Sequence, residues 1–87
     1  MTLAVIQHSV SDFDVWLQAY EGAAAIRAAG GVTEASFHRK AGEPNTLLVL
    51  HHFGSIDEAQ RFLQDPELKL AMTRGGVIGE PRVEIYE

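Results

Sequence analysis

Six segments of alternating character follow one another along the chain with almost nothing between them, and their order leaves few ways to fold. Thr2 to Val10 is rich in Leu, Val and Ile and stops at Ser11-Asp12, too soon for a helix, so it reads as a strand. Asp12 is placed to cap a helix. From Phe13 to Ala29 apolar residues recur every three or four positions around Ala23-Ala24-Ala25, which predicts one helix ended by Gly30-Gly31. Val32 to Lys40 and Thr46 to Gly54 are β-rich, and Ala41-Gly42-Glu43-Pro44-Asn45 between them has the composition of a hairpin turn. Ser55-Ile56-Asp57-Glu58 is a capping box that opens a second helix. Asp65-Pro66 re-caps that helix, Arg74-Gly75-Gly76 ends it, and Pro81 leads into a last strand, Arg82 to Tyr86. The order is βαββαβ, with no repeat, linker or low-complexity tract.

That order predicts one α+β domain over residues 1–87. Two right-handed crossovers place both helices on the same face of a four-stranded antiparallel sheet, in the strand order 4-1-3-2, a ferredoxin-like arrangement. Side chains then sort by twos along each strand. One set is Ala4, Ile6, His8 and Val10 with Ala35, Phe37, Arg39, Leu47, Val49, His51, Phe53, Val83 and Ile85; it is the more apolar and is expected beneath the helices. The other set leaves Leu3, Val5, Leu48 and Leu50 in the middle of an open face. Covering four such side chains is worth roughly 6 to 12 kcal/mol as an upper estimate, comparable to a small domain's whole stability of ~5 to 15 kcal/mol. A second copy of the chain is the expected cover, forming a two-fold, sheet-to-sheet homodimer.

Composition excludes several functions. The 87 residues include no cysteine, so disulfides, thiolate-bound zinc and thiol nucleophiles are out, although a domain this small is usually marginal unaided. A net charge of -5, with only 7 Lys+Arg scattered along the chain, provides no basic stripe for nucleic acid. There is no basic leader before the first strand and no apolar run near the ~18 residues of a membrane span. A soluble cytoplasmic protein is expected. The four histidines have no metal-ligand spacing, and adjacent His51 and His52 point to opposite faces, so no metal site is expected. Gly30-Gly31 and Gly75-Gly76 follow helices rather than strands, which gives no phosphate loop.

The βαββαβ order, the strand end His8-Ser9-Val10 running into Asp12-Phe13-Asp14-x-Trp16, and the run Phe62-Leu63-x-x-Pro66-Glu67-Leu68 resemble the dimeric α/β-barrel proteins. Within that superfamily the chain is most similar to the antibiotic biosynthesis monooxygenase-like group, including small bacterial proteins often called cyclases. The resemblance covers nearly the whole chain. It implies a dimeric α/β barrel with a pocket between sheet and helices, and it implies the fold more sharply than the reaction. Relatives include cofactor-free monooxygenases, haem-degrading enzymes, lactone isomerases, polyketide cyclases and stress proteins. In the haem-degrading branch an Asn late in the first strand, a Trp ending the third and a His in the second helical region form the site. His8, Phe53 and Met72 stand there in this chain, so it departs at all three. Quinone-forming monooxygenases of the group also tend to use a Trp near the third-strand end, where Phe53 stands.

The residues that could carry chemistry are few. His8 and His51 both belong to the helix-facing set on neighbouring strands, and a neutral imidazole can act as base or hydrogen-bond donor near neutral pH. Their register is open, so they could be adjacent or staggered by two or four residues. On the first helix, taking Trp16 as zero, Arg27 lies near ~20°, Tyr20 near ~40° and Phe13 near ~60°, one stripe. Arg27 on that stripe could stabilise an anion or simply complement the helix end. The expected site therefore has His8, His51 and Arg27 as catalytic residues, with Trp16, Tyr20, Phe37, Phe53 and Met72 as walls around a small hydrophobic or aromatic molecule, and no cofactor. The corresponding activity is a small cofactor-independent monooxygenase or cyclase acting on an aromatic or polyketide-like substrate. Two alternatives stand beside it: a non-catalytic binding or stress-responsive module, and a bare structural dimer with a filled core, which a helix-side cavity well below the ~300 to 1,000 Å3 of ordinary ligand sites would favour. His38 and His52 fall on the open face.

Overall fold

The computed structural model describes all 87 residues, and its strands and helices alternate as the sequence spacing requires. The elements are β1 (Thr2–Val10), α1 (Phe13–Gly22), α2 (Ala24–Ala29), β2 (Glu34–Lys40), β3 (Glu43–Phe53), α3 (Ile56–Leu63), α4 (Pro66–Arg74) and β4 (Val77–Tyr86). The strands form one antiparallel sheet in the order β2-β3-β1-β4. This is the ferredoxin-like α+β arrangement. Its helix starts are set by side-chain caps: Asp12 Oδ1 accepts from Asp14 N at 2.9 Å, Ser55 Oγ from Glu58 N at 3.2 Å, and Asp65 Oδ1 from Glu67 N at 2.9 Å. The reciprocal bond of the box, from the Ser55 backbone N–H to Glu58, is not formed; the Ser55 hydroxyl donates to Glu58 Oε1 at 3.2 Å instead.

Three boundaries differ from the sequence expectation by more than two residues. The first helix is interrupted at Ala23, where φ and ψ of -94° and 11° close α1 and open α2. Gly22, poor in helices, precedes the break, and the buried Ala23 turns the chain despite its own helix propensity. The expected five-residue turn narrows to Ala41-Gly42, with Gly42 at φ 81°, so β3 begins at Glu43 and includes Pro44. Pro44 is tolerated because that end of β3 runs past β1, whose pairing stops at Ser9 and Thr46. β4 begins at Val77 rather than Arg82, with a bulge between the Gln7–Arg82 and Ser9–Ile78 pairs.

Burial alternates along β1 as predicted: Ala4, Ile6, His8 and Val10 are buried beneath the helices. Two clusters make the core. One joins Ile6, Val10, Trp16, Leu47 and Val49; the other joins Ala4, Phe53, Ala59 and Phe62. Phe62 locks the second cluster, and a Cβ on Gly30 would run into its ring, so α2 can reach α3 only with glycine there. Truncating Phe62 to Ala would cost about 3 to 5 kcal/mol, enough to threaten a domain of this size. The opposite sheet face is open, with Leu48 37%, Tyr86 50% and Ile78 56% exposed. No helix is long and apolar enough to cross a membrane.

Candidate active site

Register decides what the two inward histidines can do. His51 of β3 pairs with Ala4, whereas His8 of β1 pairs with Leu47. Ile6 and Val49, which face each other, lie between them. Both rings nonetheless reach one cleft of about 50 Å3, roofed by Trp16 of α1 and by Leu68, Ala71 and Met72 of α4. The α4 residues sit there because positions i, i+3 and i+4 share a helix face.

Both imidazoles are buried, and Nδ1 of His8 and both ring nitrogens of His51 have no hydrogen-bond partner. Burial lowers the pKa of each by penalising the charged ring. A backbone group of His8 itself opposes the shift there, although Nδ1 forms no hydrogen bond of ordinary geometry. At His51 the Arg27 charge adds to desolvation and the pKa falls to about 4. Both rings are thus neutral at pH 7.

Of the expected walls, Trp16 and Met72 line this cleft. Tyr20 and Phe37 stand behind Trp16: Tyr20 stacks on its indole with centroids 4.8 Å apart, and Phe37 meets it edge-on at 5.1 Å. They hold the indole against His8, whose ring centroid is 5.9 Å away. Phe53 is fully buried against Phe62 in the second cluster and does not line the cleft. Arg27 does not line it either. Its Nη1 donates to Tyr20 O at 2.6 Å and its guanidinium lies 3.9 Å above the Tyr20 ring, so it clamps the joint between α1 and α2. His38 and His52 lie on the open face, as the parity requires.

No three His, Asp or Glu side chains converge to hold a metal ion. Larger clefts lie away from the histidines, one of about 300 Å3 between the ends of α2 and α3 and one of about 390 Å3 between α4 and β4. The smaller cleft alone combines apolar walls with unpartnered imidazoles.

Among solved structures, a candidate antibiotic biosynthesis monooxygenase from Bordetella bronchiseptica superposes with TM-score 0.85 at 12% identity, over 99% of this chain and 94% of that one. SnoaB, a cofactor-independent oxygenase from Streptomyces nogalater, gives 0.80 at 15%, over 99% and 90%. A candidate antibiotic biosynthesis monooxygenase from Caulobacter crescentus gives 0.77 at 19%, over 98% and 86%. The chain has the antibiotic biosynthesis monooxygenase-like fold. No protein-family sequence model and no curated protein sequence matches it.

On this antibiotic biosynthesis monooxygenase-like frame, three features escaped the sequence reading. Leu68 and Ala71 complete the roof and could have been found from their spacing with Met72 on α4. The offset between the histidines needs a register that no periodicity supplies. The third is the β4 bulge: Gly79, Glu80 and Pro81 occupy the stretch opposite His8, where the β1–β4 pairing is interrupted. Gly79, at φ 70°, is its signal in the sequence.

Proposed function

We propose that the chain is a small oxygenase or cyclase that works without metal or flavin on an aromatic or polyketide-like substrate held between sheet and helices. The observation that carries this reading is the pair of buried imidazoles whose nitrogens no protein group satisfies, set in an otherwise apolar cleft. Each such atom costs about 1 to 3 kcal/mol when nothing pairs with it. Such atoms are met by water, by strain or by a binding or catalytic role, and here both rings open onto one apolar cleft.

The two rings have different roles. His8 is the base that takes a phenolic or enolic proton, leaving an electron-rich anion. His51, with a pKa of about 4, is too weak for that task. It serves instead as a neutral hydrogen-bonding partner that orients the substrate, with Arg27 adding positive potential. In the oxygenase form an activated methylene becomes a carbonyl, one atom of O2 entering the product and the other leaving as water. In the cyclase form the same anion closes a ring. The description of SnoaB as a cofactor-independent oxygenase favours the first. A second copy of the chain covers the open sheet face in this reading.

The test is turnover of phenolic polyketide-type compounds in air and under strict anaerobiosis. Oxygen-dependent product formation, one O2 consumed per product, is expected. Equal rates without oxygen would replace the oxygenase with the cyclase, and saturable binding without product would leave only a binding module.

A further inference from the structure

The cleft at the histidines, about 50 Å3, holds a water molecule or two and no aromatic substrate, for which ~300 to 1,000 Å3 is ordinary. A site there must open. Only one wall has a cleft of adequate size directly behind it. Met72 lines the histidine cleft on one side and, on the other, the groove of about 390 Å3 between α4 and β4. That groove is bordered by Gly79, Glu80 and Pro81, the bulge that interrupts β4 opposite His8, with Lys69 and Thr73 on its helical side. Regular pairing would carry β4 straight past His8; the bulge leaves space beside it.

We infer that Met72 is the gate between the two compartments and that the α4–β4 groove is the substrate's entrance and second subsite. The unbranched thioether turns about three bonds and leaves its place without moving the helix backbone. With it displaced, an elongated substrate lays its aromatic end over Ile6 and Val49 against His8, and its polar end along Lys69, Thr73 and Glu80. Met72 then sets how large a ring is admitted. The substrate part of this inference rests on the function proposed above; the gate does not.

The gate is tested without substrate by carbethoxylation of the histidines with diethyl pyrocarbonate at pH 7, followed peptide by peptide by mass spectrometry in the intact protein. His38, on the sheet face away from Met72, has the same surroundings in every variant whether or not a second copy covers it, and is the internal reference. Reactivity of a gated group scales with the fraction of time the gate is open. Relative to His38, labelling of His8 is expected to rise roughly tenfold in Met72→Ala and to fall below wild type in Met72→Trp. Met72→Val, a smaller truncation, should fall between wild type and Met72→Ala and keeps the test available if the alanine variant does not fold. An unchanged His8 to His38 ratio in a folded, truncated variant overturns the gate. If the ratio rises as expected but no aromatic compound binds or turns over, the gate stands and the proposed function fails.

Discussion

His8 and His51 share the inner face of the sheet but stand four register positions apart, because Ala4 rather than His8 is the residue opposite His51. Four positions along a strand are roughly 13 Å. The imidazoles therefore cannot satisfy each other by direct pairing, and a molecule lying over Ile6 and Val49 would meet one at each end. The offset leaves the nitrogens without each other as partners, and burial with the Arg27 charge separates their roles.

Removing His51 should stabilise the fold while damaging function. Its two ring nitrogens are buried without partners, so His51→Leu replaces two unsatisfied atoms with apolar contact against Phe62 and Phe53. A gain of about 1 to 3 kcal/mol in urea denaturation is expected, together with weaker ligand binding. A loss of stability would mean that the imidazole is hydrogen-bonded inside the protein after all.

Acid should unfold the chain through the same ring. His51 titrates near the ordinary 6.5 when unfolded and at about 4 when folded. Above pH 6.5 neither state is protonated and the group has no effect; as pH falls below 6.5 the unfolded chain binds the proton first and stability declines. The decline continues to about pH 4 and amounts to about 3 kcal/mol. His8, also lowered, adds in the same direction. The difference between wild type and His51→Leu in denaturation at pH 4.5 and pH 7 isolates the effect from carboxylates; an equal difference at the two pH values would contradict it.

Arg27→Met should loosen the joint between α1 and α2 and raise the pKa of His51. The guanidinium caps Tyr20 O where Ala23 interrupts the helix, so a loss of about 1.5 to 3 kcal/mol is expected. His51 should titrate higher by NMR, though still below 6.5, because desolvation is the larger cause of its shift. An unmoved His51 would place the Arg27 charge outside its reach.

Much of this fold was legible in the sequence because short-range chemistry decides it. Asp12, Ser55 and Asp65 cap their helices within three residues, and parity alone sends His8 and His51 inward. The site was legible only in part. Phe53 and Arg27 belong to the correct layer but are taken up by Phe62 and Tyr20, partners distant enough in the chain or turned back by a helix break that periodicity does not register. The early start of β4 was hidden by Pro81, which argues against a strand interior yet is accommodated in an edge-strand bulge.

The open face should bring two copies together. Light scattering is expected to give twice the 9.5 kDa chain mass, and Leu48→Lys, which puts a charge at the middle of the exposed apolar patch, should give the single-chain mass with a lower Tm. A monomeric wild type at micromolar concentration would remove the homodimer from the account.

The most direct test of the central claim is a paired measurement of turnover and affinity in His8→Ala, using a phenolic substrate that wild type consumes with oxygen. If His8 is the base, kcat falls about 10²- to 10⁴-fold while Kd changes by only a small factor. Undiminished turnover in the folded variant would contradict the claim that the reaction begins at that imidazole.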